Sequence, residues 1–547
     1  MRRLVLWPNQ LFSTVEEYIR QQSIDYVYIL QDPRFFRYKE DEAGLIRFHK
    51  LKLVLHDVTT RLFRDELASS GVLSKTRIIL VDYTKWTEPS KRQFDEYRGG
   101  ELLTSIPSLE GDDWFVFDAI DHTLNQAVDS HCRKYKIRLN REDSPLFLAS
   151  NAELLDIHQR KFQKGKRLLQ TTFYSEMRRL HGILLTDDGK WVGSKLTFDV
   201  ENRLPLPRNG ETEIPSYKTH QTKRTAREIK YIRESVARVN RLFADHPSNN
   251  GTATPLVYSD LSYFDHIDFT RESAILRLRQ FCRERLARFG DYQDAMVADT
   301  EKFPILYHSG ISHTLNIGLI QPREVVDTIL DQWNKSANTI PLSAVEGFIR
   351  QIVGWREYCR YIYVFWNDRI RASNEMKGTR KLTTAWYNGT TGWSPVDTAI
   401  RQAFHYGYLH HIQRLMIMGN IMNLLRFHPH EVYRWFMEFA IDSYEWVMVY
   451  NVYSMILYAD GGMTTTKPYI SSSAYIYKMS NSRFKRDGIW DTDWNTLFYA
   501  YIGDHKEQLS HNGRTVQMWN LWKRKTIAEQ RDIKRDANAI IERITSP

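Results

Sequence analysis

The chain has 547 residues, too many for one ordinary hydrophobic core, so we expect about two to four domains. A net charge of +10 favours a polyanionic partner, with nucleic acid ahead of a membrane surface, and no run approaches the roughly 18 apolar residues of a membrane-spanning helix. The three cysteines are far apart and form no CxxC pair, which argues against a disulfide framework or a cysteine-held metal cluster and fits a soluble cytoplasmic protein.

Four short apolar runs predict strands near the start of the chain. They are RLVLW at residues 3–7, DYVYIL at 25–30, RIILV at 77–81 and WFVFD at 114–118. Helical segments such as residues 47–67 lie between them, and this alternation predicts a parallel sheet with helices on both faces. Ligands of such sheets bind at the carboxyl ends of the strands. The residues expected there are Asn9, Gln10, Asp32, Phe35 and Phe36. No GxGxxG motif follows the first strand, so an ordinary dinucleotide site is not expected.

The amino-acid composition changes in the middle of the chain. Residues 150–261 are polar and irregular, which is typical of a long connector, and they include a predicted helix at residues 226–243. From residue 270 to residue 501 the signals are almost wholly helical, and a charged helix-like stretch follows residue 503. The sequence therefore predicts an α/β domain, a wrapping linker and a helical domain.

Two motifs in the helical half suit ligand binding. A turn of small residues leads into a predicted helix, and its hydroxyl groups and backbone amides can hold a phosphate, although most such turns hold none. The turn contains Ser309, Gly310 and Ser312. A second predicted helix, at residues 348–363, carries a polar, an aromatic and a cationic side chain within about one turn of one another. They are Gln351, Trp355 and Arg356.

Residues 404–416, FHYGYLHHIQRLM, contain the adjacent histidines His410 and His411. Apolar and aromatic residues recur three or four positions apart across this stretch, which predicts one mostly buried helix. Since adjacent helix positions differ by about 100°, one imidazole would face a pocket while the other lies against its wall. That arrangement suits acid–base chemistry. The alternative is a pair of ordinary core histidines.

Five longer segments carry a resemblance to a known family. They are MRRLHGILLTDDGKWVGSKLTFDVENR at residues 177–203, GWREYCR at 354–360, YLHHIQRLM at 408–416, IDSYEW at 441–446 and ADGGMTTTKPYISSSAYI at 459–476. In their order and spacing they resemble the cryptochrome/photolyase superfamily, most closely its prokaryotic branch of iron–sulfur photolyases, which includes bacterial (6-4) photolyases. The resemblance covers nearly the whole chain.

The resemblance implies an α/β N-terminal domain with a parallel, Rossmann-like sheet, joined by a long linker to an all-α FAD-binding domain. We expect an antenna-chromophore domain at residues 1–135, an interdomain linker with helices at 136–265, a catalytic FAD-binding domain at 266–503 and a C-terminal helical extension at 504–547.

In this family FAD is folded into a U shape within the helical domain. The small-residue turn would surround the phosphates and the ribityl chain, and Asp442 would lie near the isoalloxazine ring. Met448 falls where a polar side chain often faces flavin N5. The expected FAD-binding residues are Tyr292, His308, Ser309, Gly310, Ile311, Ser312, Gln351, Trp355, Arg356, Asp442 and Met448.

The resemblance also implies an antenna chromophore at the strand ends, in this branch usually 6,7-dimethyl-8-ribityllumazine. The matching positions are Gln10, Asp32, Phe35, Phe36, His49 and Lys50.

The activity implied by the resemblance is light-driven repair of UV-damaged DNA. Excited reduced FAD passes an electron to a lesion flipped out of the duplex, and a (6-4) lesion also needs a proton, which a histidine cation can supply. We expect His411 to be that donor, with His410 the next candidate, and Tyr469 and Tyr475 to pack around the lesion.

The chain departs from the family in its cysteines. Four cysteines normally hold a [4Fe-4S] cluster in this branch, but Pro395 stands where the first would be and residues 481–495 contain none. Thiolates are the ligands of such clusters. We therefore expect no [4Fe-4S] cluster, and its place to be filled by Arg483, Phe484, Arg486 and Trp494.

The expected route of flavin photoreduction also differs. Trp435 matches a relay position, whereas Tyr387 and Phe436 stand where more readily oxidised rings are expected, and Trp386 and Trp393 are substitutes. Our electron-transfer candidates are Trp435, Tyr387 and Trp386.

Basic side chains around the flavin cavity are expected to bind DNA, and the alternative for each is an ordinary solvated loop. They are Lys377, Arg380, Lys381, Lys467, Arg483, Lys485 and Arg486. We expect a monomer that has UV-damaged DNA as its partner and binds no membrane.

Three functions remain open besides (6-4) repair. One is a cryptochrome-like blue-light photoreceptor without repair activity, and another is a cyclobutane-dimer photolyase. A third is a flavoprotein in which the altered N5 neighbour has abolished photochemistry.

Overall fold

The computed structural model describes residues 1–87, 94–162, 167, 169–207, 210–217, 224–256, 261–481, 483–510 and 513–546. Its strands are β1 Arg2–Leu6, β2 Tyr26–Leu30, β3 Arg37–Glu40, β4 Gly44–Arg47, β5 Ile78–Val81, β6 Asp113–Phe117 and β7 Arg138–Glu142. Five of them form a parallel sheet in the order β5-β2-β1-β6-β7, and β3 and β4 form an antiparallel pair.

The parallel sheet confirms the predicted fold class. In the centre, Leu4 of β1 lies beside Val27 on one side and Phe115 on the other, and all three are buried. Apolar runs such as these are typical of strands covered on both faces. The edge strand β7, RLNRE, was missed because its mostly polar sequence lacks that signal.

The N-terminal part and the linker contain α1 Val15–Gln21, α2 Lys50–Ser69, α3 Thr84–Thr87, α4 His122–Tyr135, α5 Asn151–Lys161, α6 Gln170–Leu180 and α7 Ala226–Leu242. The predicted helices at residues 47–67 and 226–243 are α2 and α7, which pack on each other. Short 3-10 turns occur at Pro33–Phe35, Lys75–Arg77, Phe94–Glu96, Glu101–Ser105, Val192–Ser194, Asp199–Glu201, Gly210–Glu213 and Leu261–Phe264.

The helical half begins with α8 Arg271–Glu284, α9 Leu286–Tyr292, α10 Ser312–Asn316, α11 Pro322–Lys335, α12 Leu342–Ile349, α13 Glu357–Arg371, α14 Ala385–Asn388 and α15 Ser394–Tyr406. It continues with α16 Asn420–Leu424, α17 Pro429–Phe439, α18 Glu445–Met448, α19 Ser473–Met479, α20 Trp490–Asp504, α21 Lys506–Ser510, α22 Val516–Lys523 and α23 Ile527–Thr545. Three π-helical segments interrupt it at Arg350–Arg356, Gln413–Gly419 and Val449–Ile456. In the described part of the chain, no helix is both long and apolar enough to cross a bilayer.

The single helix predicted for residues 404–416 is wrong. Helix α15 ends at Tyr406, Gly407 has a φ of 61°, and the chain becomes helical again at His411. The apolar spacing has a helical period, but Gly407 adopts the left-handed conformation that commonly ends a helix. His410 therefore lies just before the second helix, where its backbone N–H is 3.3 Å from Oε1 of Gln413.

Buried ion pairs join the sheet domain to the helical domain. Arg34 donates from Nε to Asp121 at 2.7 Å and from Nη2 to Glu445 at 2.5 Å. Arg371 reaches the same Glu445 at 2.9 Å and Glu40 at 2.6 Å. Because removing one member of a buried pair typically costs about 3–5 kcal/mol, this network fixes the contact between the domains.

Candidate functional site

A cavity of about 200 Å³ lies within the helical domain. All three π-helical segments contribute to its wall, and such segments often occur at functional sites. The expected FAD-binding residues that line it are His308, Ser309, Gly310, Ile311, Ser312, Gln351, Trp355, Arg356, Asp442 and Met448. Tyr292 does not line it. Its ring instead stacks on Tyr307, with 5.4 Å between the centroids.

Asp442 is the centre of the polar wall. Its carboxylate accepts hydrogen bonds from Ser312 Oγ at 2.6 Å and from the two terminal nitrogens of Arg414 at 3.1 and 3.0 Å. Asn316 donates to its backbone carbonyl at 2.9 Å. Burial opposes ionisation, but Arg414 and Ser312 hold the pKa of Asp442 below its usual value. A fixed negative charge therefore faces the cavity.

Arg356 also lines the cavity and is held in place by protein groups. It donates to the carbonyl oxygen of Leu146, lies 3.3 Å from Oδ1 of Asn316, and stacks over the rings of Phe147 and Trp446. Burial lowers its pKa to about 10, so it stays charged at neutral pH. The lining thus combines hydroxyl, amide and guanidinium groups with aromatic and aliphatic side chains, which fits a dinucleotide with a planar ring.

Met448 lies in the cavity wall as expected. One turn later, the amide nitrogen of Asn451 is 3.7 Å from its sulfur, and Asn451 also lines the cavity. Asn451 could not be identified from the sequence, because an asparagine in an apolar run, VYNVYS, has no signature of its own.

Three histidines lie at this site. His411 lines the cavity, while His410 stacks on His308 with 4.9 Å between the ring centroids. Neither ring nitrogen of His410 has a hydrogen-bond partner among the described residues. Partial desolvation by the surrounding protein, and then the charges of Arg350 and Arg414, lower the pKa of His411, whereas Asp199 opposes that shift and the residue stays exposed to solvent. The ring of His411 is therefore neutral at pH 7 in this state.

Four charged residues that had no signal in the sequence form a network at this site: Asp199, Arg203, Asp294 and Arg350, of which Arg350 and Asp199 act on His411. The guanidinium of Arg350 lies 3.1 Å from Asp199, which also binds Arg203. Burial raises the pKa of Asp294 to about 6. Asp199 and Arg203 belong to the linker segment DVENR, where a polar sequence is indistinguishable from a solvated loop.

Tyr469 and Tyr475 are partly buried and do not line the cavity. Burial and the carboxylate of Asp294 raise the pKa of Tyr475, and Arg203 acts in the opposite direction. Burial lowers the pKa of Lys467, and the positive charges of Arg203 and Arg514 lower it further. Lys467, Tyr469 and Tyr475 therefore all interact with Arg203, which belongs to the same charged network as Asp199.

The candidate DNA-binding residues fall into two groups. Lys377, Lys381, Lys485 and Arg486 are exposed, and Arg380 and Lys467 are partly exposed. Arg483 is instead engaged within the protein, since it binds Glu211 and donates to the carbonyl oxygens of Ser480 and Pro207 at 3.1 and 3.0 Å. Its contacts join the linker to the helical domain, which argues against a role in DNA binding.

The expected antenna residues gather at the carboxyl edge of the sheet, where protein groups satisfy their polar atoms. His49 Nε2 is 2.8 Å from the carbonyl oxygen of Phe404, and Lys50 Nζ donates to that of Thr254 at 2.7 Å. The adjacent cavity measures about 20 Å³, enough for one water molecule. Buried here are Gln10, Asp32, Phe35, Phe36, His49 and Lys50. As placed, they do not fit a ribityllumazine, so that chromophore stays a prediction.

Tryptophans fill the region around Pro395 and residues 481–495. They are Trp393, Trp490 and Trp494, all buried. The indole N–H of Trp393 donates to Asp493 at 3.0 Å, and Asp493 also binds Arg543 of α23. Phe484 is buried, whereas Arg486 lies over the ring of Tyr477. Among the described residues, no group of three or more His, Cys, Asp or Glu side chains could hold a metal ion.

The electron-transfer candidates lie beyond the cavity wall. Trp435 is fully buried on α17, and its indole N–H donates to the carbonyl oxygen of Trp386 at 2.7 Å. The ring of Phe439 is 4.6 Å from that of Trp435, and the guanidinium of Arg414 lies 5.6 Å from Phe439. Arg414 lines the cavity, so Trp435 is connected to it through one intervening ring.

The chain is a parallel α/β domain followed by a helical domain that contains this cavity. The family model described as deoxyribodipyrimidine photo-lyase-related protein matches residues 3–252, and the FAD binding domain of DNA photolyase matches residues 348–488. A (6-4) photolyase of Agrobacterium fabrum is 30% identical over 513 residues, which cover 92% of this chain and 93% of the relative. The chain therefore belongs to the cryptochrome/photolyase superfamily, in its bacterial (6-4) photolyase-like branch, and FAD is its cofactor.

Solved structures show the same fold. A bacterial class III photolyase from Agrobacterium tumefaciens has a TM-score of 0.53 at 14% identity, with 99% of this chain and 97% of that chain covered. A cryptochrome from Synechocystis has a TM-score of 0.54 at 11% identity, with coverage of 90% and 88%.

Proposed function

We propose that this protein is a light-driven DNA photolyase that reverses (6-4) pyrimidine photoproducts. The observation that carries the proposal is the position of His411 in the wall of the FAD cavity, where Arg350, Arg414 and Asp199 act on its ring. Similarity to a (6-4) photolyase over nearly the full length supports the same lesion class.

Bound FAD supplies light absorption and the electron for repair. The protein groups orient it and exclude water: Arg414 and Ser312 fix the charge of Asp442, while Trp446 and Met448 form a buried, apolar part of the wall. A low local dielectric strengthens every charge that faces the lesion.

Proton delivery by His411 depends on substrate binding. The ring is neutral in the free protein because partial desolvation and two guanidinium groups disfavour its cation. DNA phosphates that engage Arg350 and Arg203 would neutralise part of that positive charge, and the pKa of His411 would rise. A protonated His411 could then donate to the leaving oxygen or nitrogen of the lesion.

DNA binding is assigned to Lys377, Arg380, Lys381, Lys467, Lys485 and Arg486, and the surroundings of Lys467 add Arg203 and Arg514. Tyr469 and Tyr475 are placed beside the flipped bases, where aromatic rings stack favourably. We further propose that the chain functions without a [4Fe-4S] cluster, because its three cysteines cannot supply four thiolates.

A cryptochrome-like photoreceptor is the second candidate. The neutral state of His411 favours it, since a protein that never charges this ring has no proton donor for a (6-4) lesion. A cyclobutane-dimer photolyase needs no such donor.

The test is repair of a (6-4) lesion in a short duplex by chemically reduced protein under blue light. We expect wild type to restore the bases and His411→Asn to lose at least about 100-fold in rate, the lower range for a positioned acid. His405→Asn, which changes a partly exposed histidine on α15 outside the cavity, is the matched control. Equal rates for all three proteins would remove His411 from the mechanism, and an inactive wild type would favour the photoreceptor.

A further inference from the structure

A tyrosine–carboxylate pair lies next to the relay tryptophan. The phenol of Tyr387 donates a 2.8 Å hydrogen bond to Oε2 of Glu438. Glu438 is buried, and its other carboxylate oxygen accepts the backbone N–H of Arg47 at 3.2 Å. Tyr387 is partly exposed. The pair thus connects the buried interior to the surface.

Two contacts couple this pair to Trp435. The ring of Phe404 lies between the two side chains, 6.0 Å from Trp435 and 5.7 Å from Tyr387 between centroids. The indole N–H of Trp435 also binds the carbonyl of Trp386, the residue directly before Tyr387. Because Trp435 is linked to the flavin cavity through Phe439, it stands between the cavity and Tyr387.

We propose that Tyr387 is the terminal electron donor for flavin photoreduction and that Glu438 is the base that accepts its proton. This inference rests on the proposed flavin photochemistry. Trp435 gives one electron to the photoexcited oxidised flavin, and Tyr387 then gives one electron to oxidised Trp435. The O–H bond of Tyr387 breaks and its proton moves to Oε2 of Glu438. Trp435 is restored, and a neutral tyrosyl radical and a protonated carboxyl remain. An external thiolate gives one electron to the tyrosyl radical and becomes a thiyl radical, and Glu438 returns the proton to the phenol oxygen.

The local chemistry favours oxidation of Tyr387, with proton transfer to Glu438, over oxidation of the neighbouring Trp386. A phenol that loses an electron becomes a strong acid, so a carboxylate within hydrogen-bond distance accepts its proton without rearrangement. Burial raises the pKa of Glu438 to about 6, which makes it a stronger base than an ordinary glutamate while Arg434 and Arg47 help to keep it charged at neutral pH. The indole N–H of Trp386 is buried and has no partner among the described residues, so that ring lacks a proton acceptor.

The experiment follows radicals in the FAD-loaded protein by electron paramagnetic resonance and transient absorption after a blue flash. Wild type should give a neutral tyrosyl radical whose formation slows in D₂O. Tyr387→Phe should abolish the radical, and Glu438→Gln should slow its formation at least about tenfold, since a positioned base commonly contributes more than that. Glu110→Gln, which changes an exposed ion pair with Lys136 in the N-terminal domain, is the control.

Two outcomes would overturn the inference. One is a wild-type protein that forms no tyrosyl radical, and the other is a Glu438→Gln variant whose radical forms at the wild-type rate with the wild-type isotope effect. If Glu438→Gln binds no FAD, Glu438→Asp takes its place. The aspartate keeps a base at a longer distance, so radical formation should be slower than in wild type. Because repair by chemically reduced protein bypasses this relay, failure of the inference and failure of the proposed function give different results.

Discussion

Individual buried charges shape the FAD cavity, and Asp442 shows how. Its carboxylate is charged only because Arg414 and Ser312 offset the cost of burial. The sequence identified Asp442 through its family motif, IDSYEW, but its partner Arg414 lies in another motif, in the π-helical segment Gln413–Gly419, and nothing in the sequence pairs the two. A pairing across the cavity cannot be inferred from spacing along the chain.

We expect Asp442→Asn to lose most of its bound FAD. The buried guanidinium of Arg414 would keep only a neutral acceptor, and a broken buried pair typically costs about 3–5 kcal/mol. The flavin-to-protein absorbance ratio after gel filtration measures this loss. Asp327→Asn, which changes an exposed ion pair with Arg323, is the control. Equal FAD content in both variants would contradict the assigned role.

At the scale of elements, short breaks in the helices position the site. The strands β1, β2, β5 and β6 could be predicted because buried parallel strands have continuous apolar sequences. The break at Gly407 could not, because hydrophobic spacing has the same period on both sides of it. Gly407 lies against Ile441, and this long-range contact, together with its φ of 61°, decides where α15 ends.

Gly407→Ala should destabilise the protein and displace the two histidines. A Cβ at this position would lie 2.5 Å from Cγ2 of Ile441, and the left-handed conformation itself costs about 1–2 kcal/mol for a residue with a Cβ. Gly182→Ala has a similar φ of 65° but no atom within 4 Å, so it isolates the cost of the conformation. We expect a lower thermal midpoint and lower FAD content for Gly407→Ala than for Gly182→Ala. Identical values would show that the contact with Ile441 does not matter.

For the whole molecule, the family resemblance predicted the two-domain architecture and most of the cavity wall. The resemblance could not predict that Arg483 binds the linker, nor which charged residues act on His411. Both depend on how the linker folds back on the helical domain. The expected position of Tyr292 in the cavity wall is not observed, because its ring stacks on Tyr307 instead.

The buried histidines predict an acid-sensitive fold. Burial lowers the pKa of each of the following: to about 4 for His49 and His313, and to about 3 for His246 and His266. The unfolded chain therefore binds more protons between roughly pH 6.5 and 4, so stability is full above pH 6.5 and falls as the pH drops through that range. Burial also lowers the pKa values of His56, His131, His410 and His505. Six carboxyl groups of the described residues, whose pKa values desolvation raises, act in the opposite direction but are fewer than these eight histidines: Asp32, Glu40, Glu66, Asp294, Glu357 and Glu438.

We expect the thermal midpoint at pH 5 to lie about 5 °C or more below that at pH 7.5, a change of a few kcal/mol. Scans at one heating rate and ionic strength measure it. An equal or higher midpoint at pH 5 would mean that these histidines are not held neutral in the folded protein.

The most direct measurement of the central claim compares three duplexes of one sequence: one with a (6-4) photoproduct, one with a cyclobutane dimer and one undamaged. Each is mixed with chemically reduced protein, kept dark or exposed to blue light, and assayed by chromatography for restored strand. We expect restoration of the (6-4) duplex in the light alone and none of the cyclobutane duplex. Restoration of the cyclobutane dimer without the (6-4) product, or of neither lesion, would contradict the assignment.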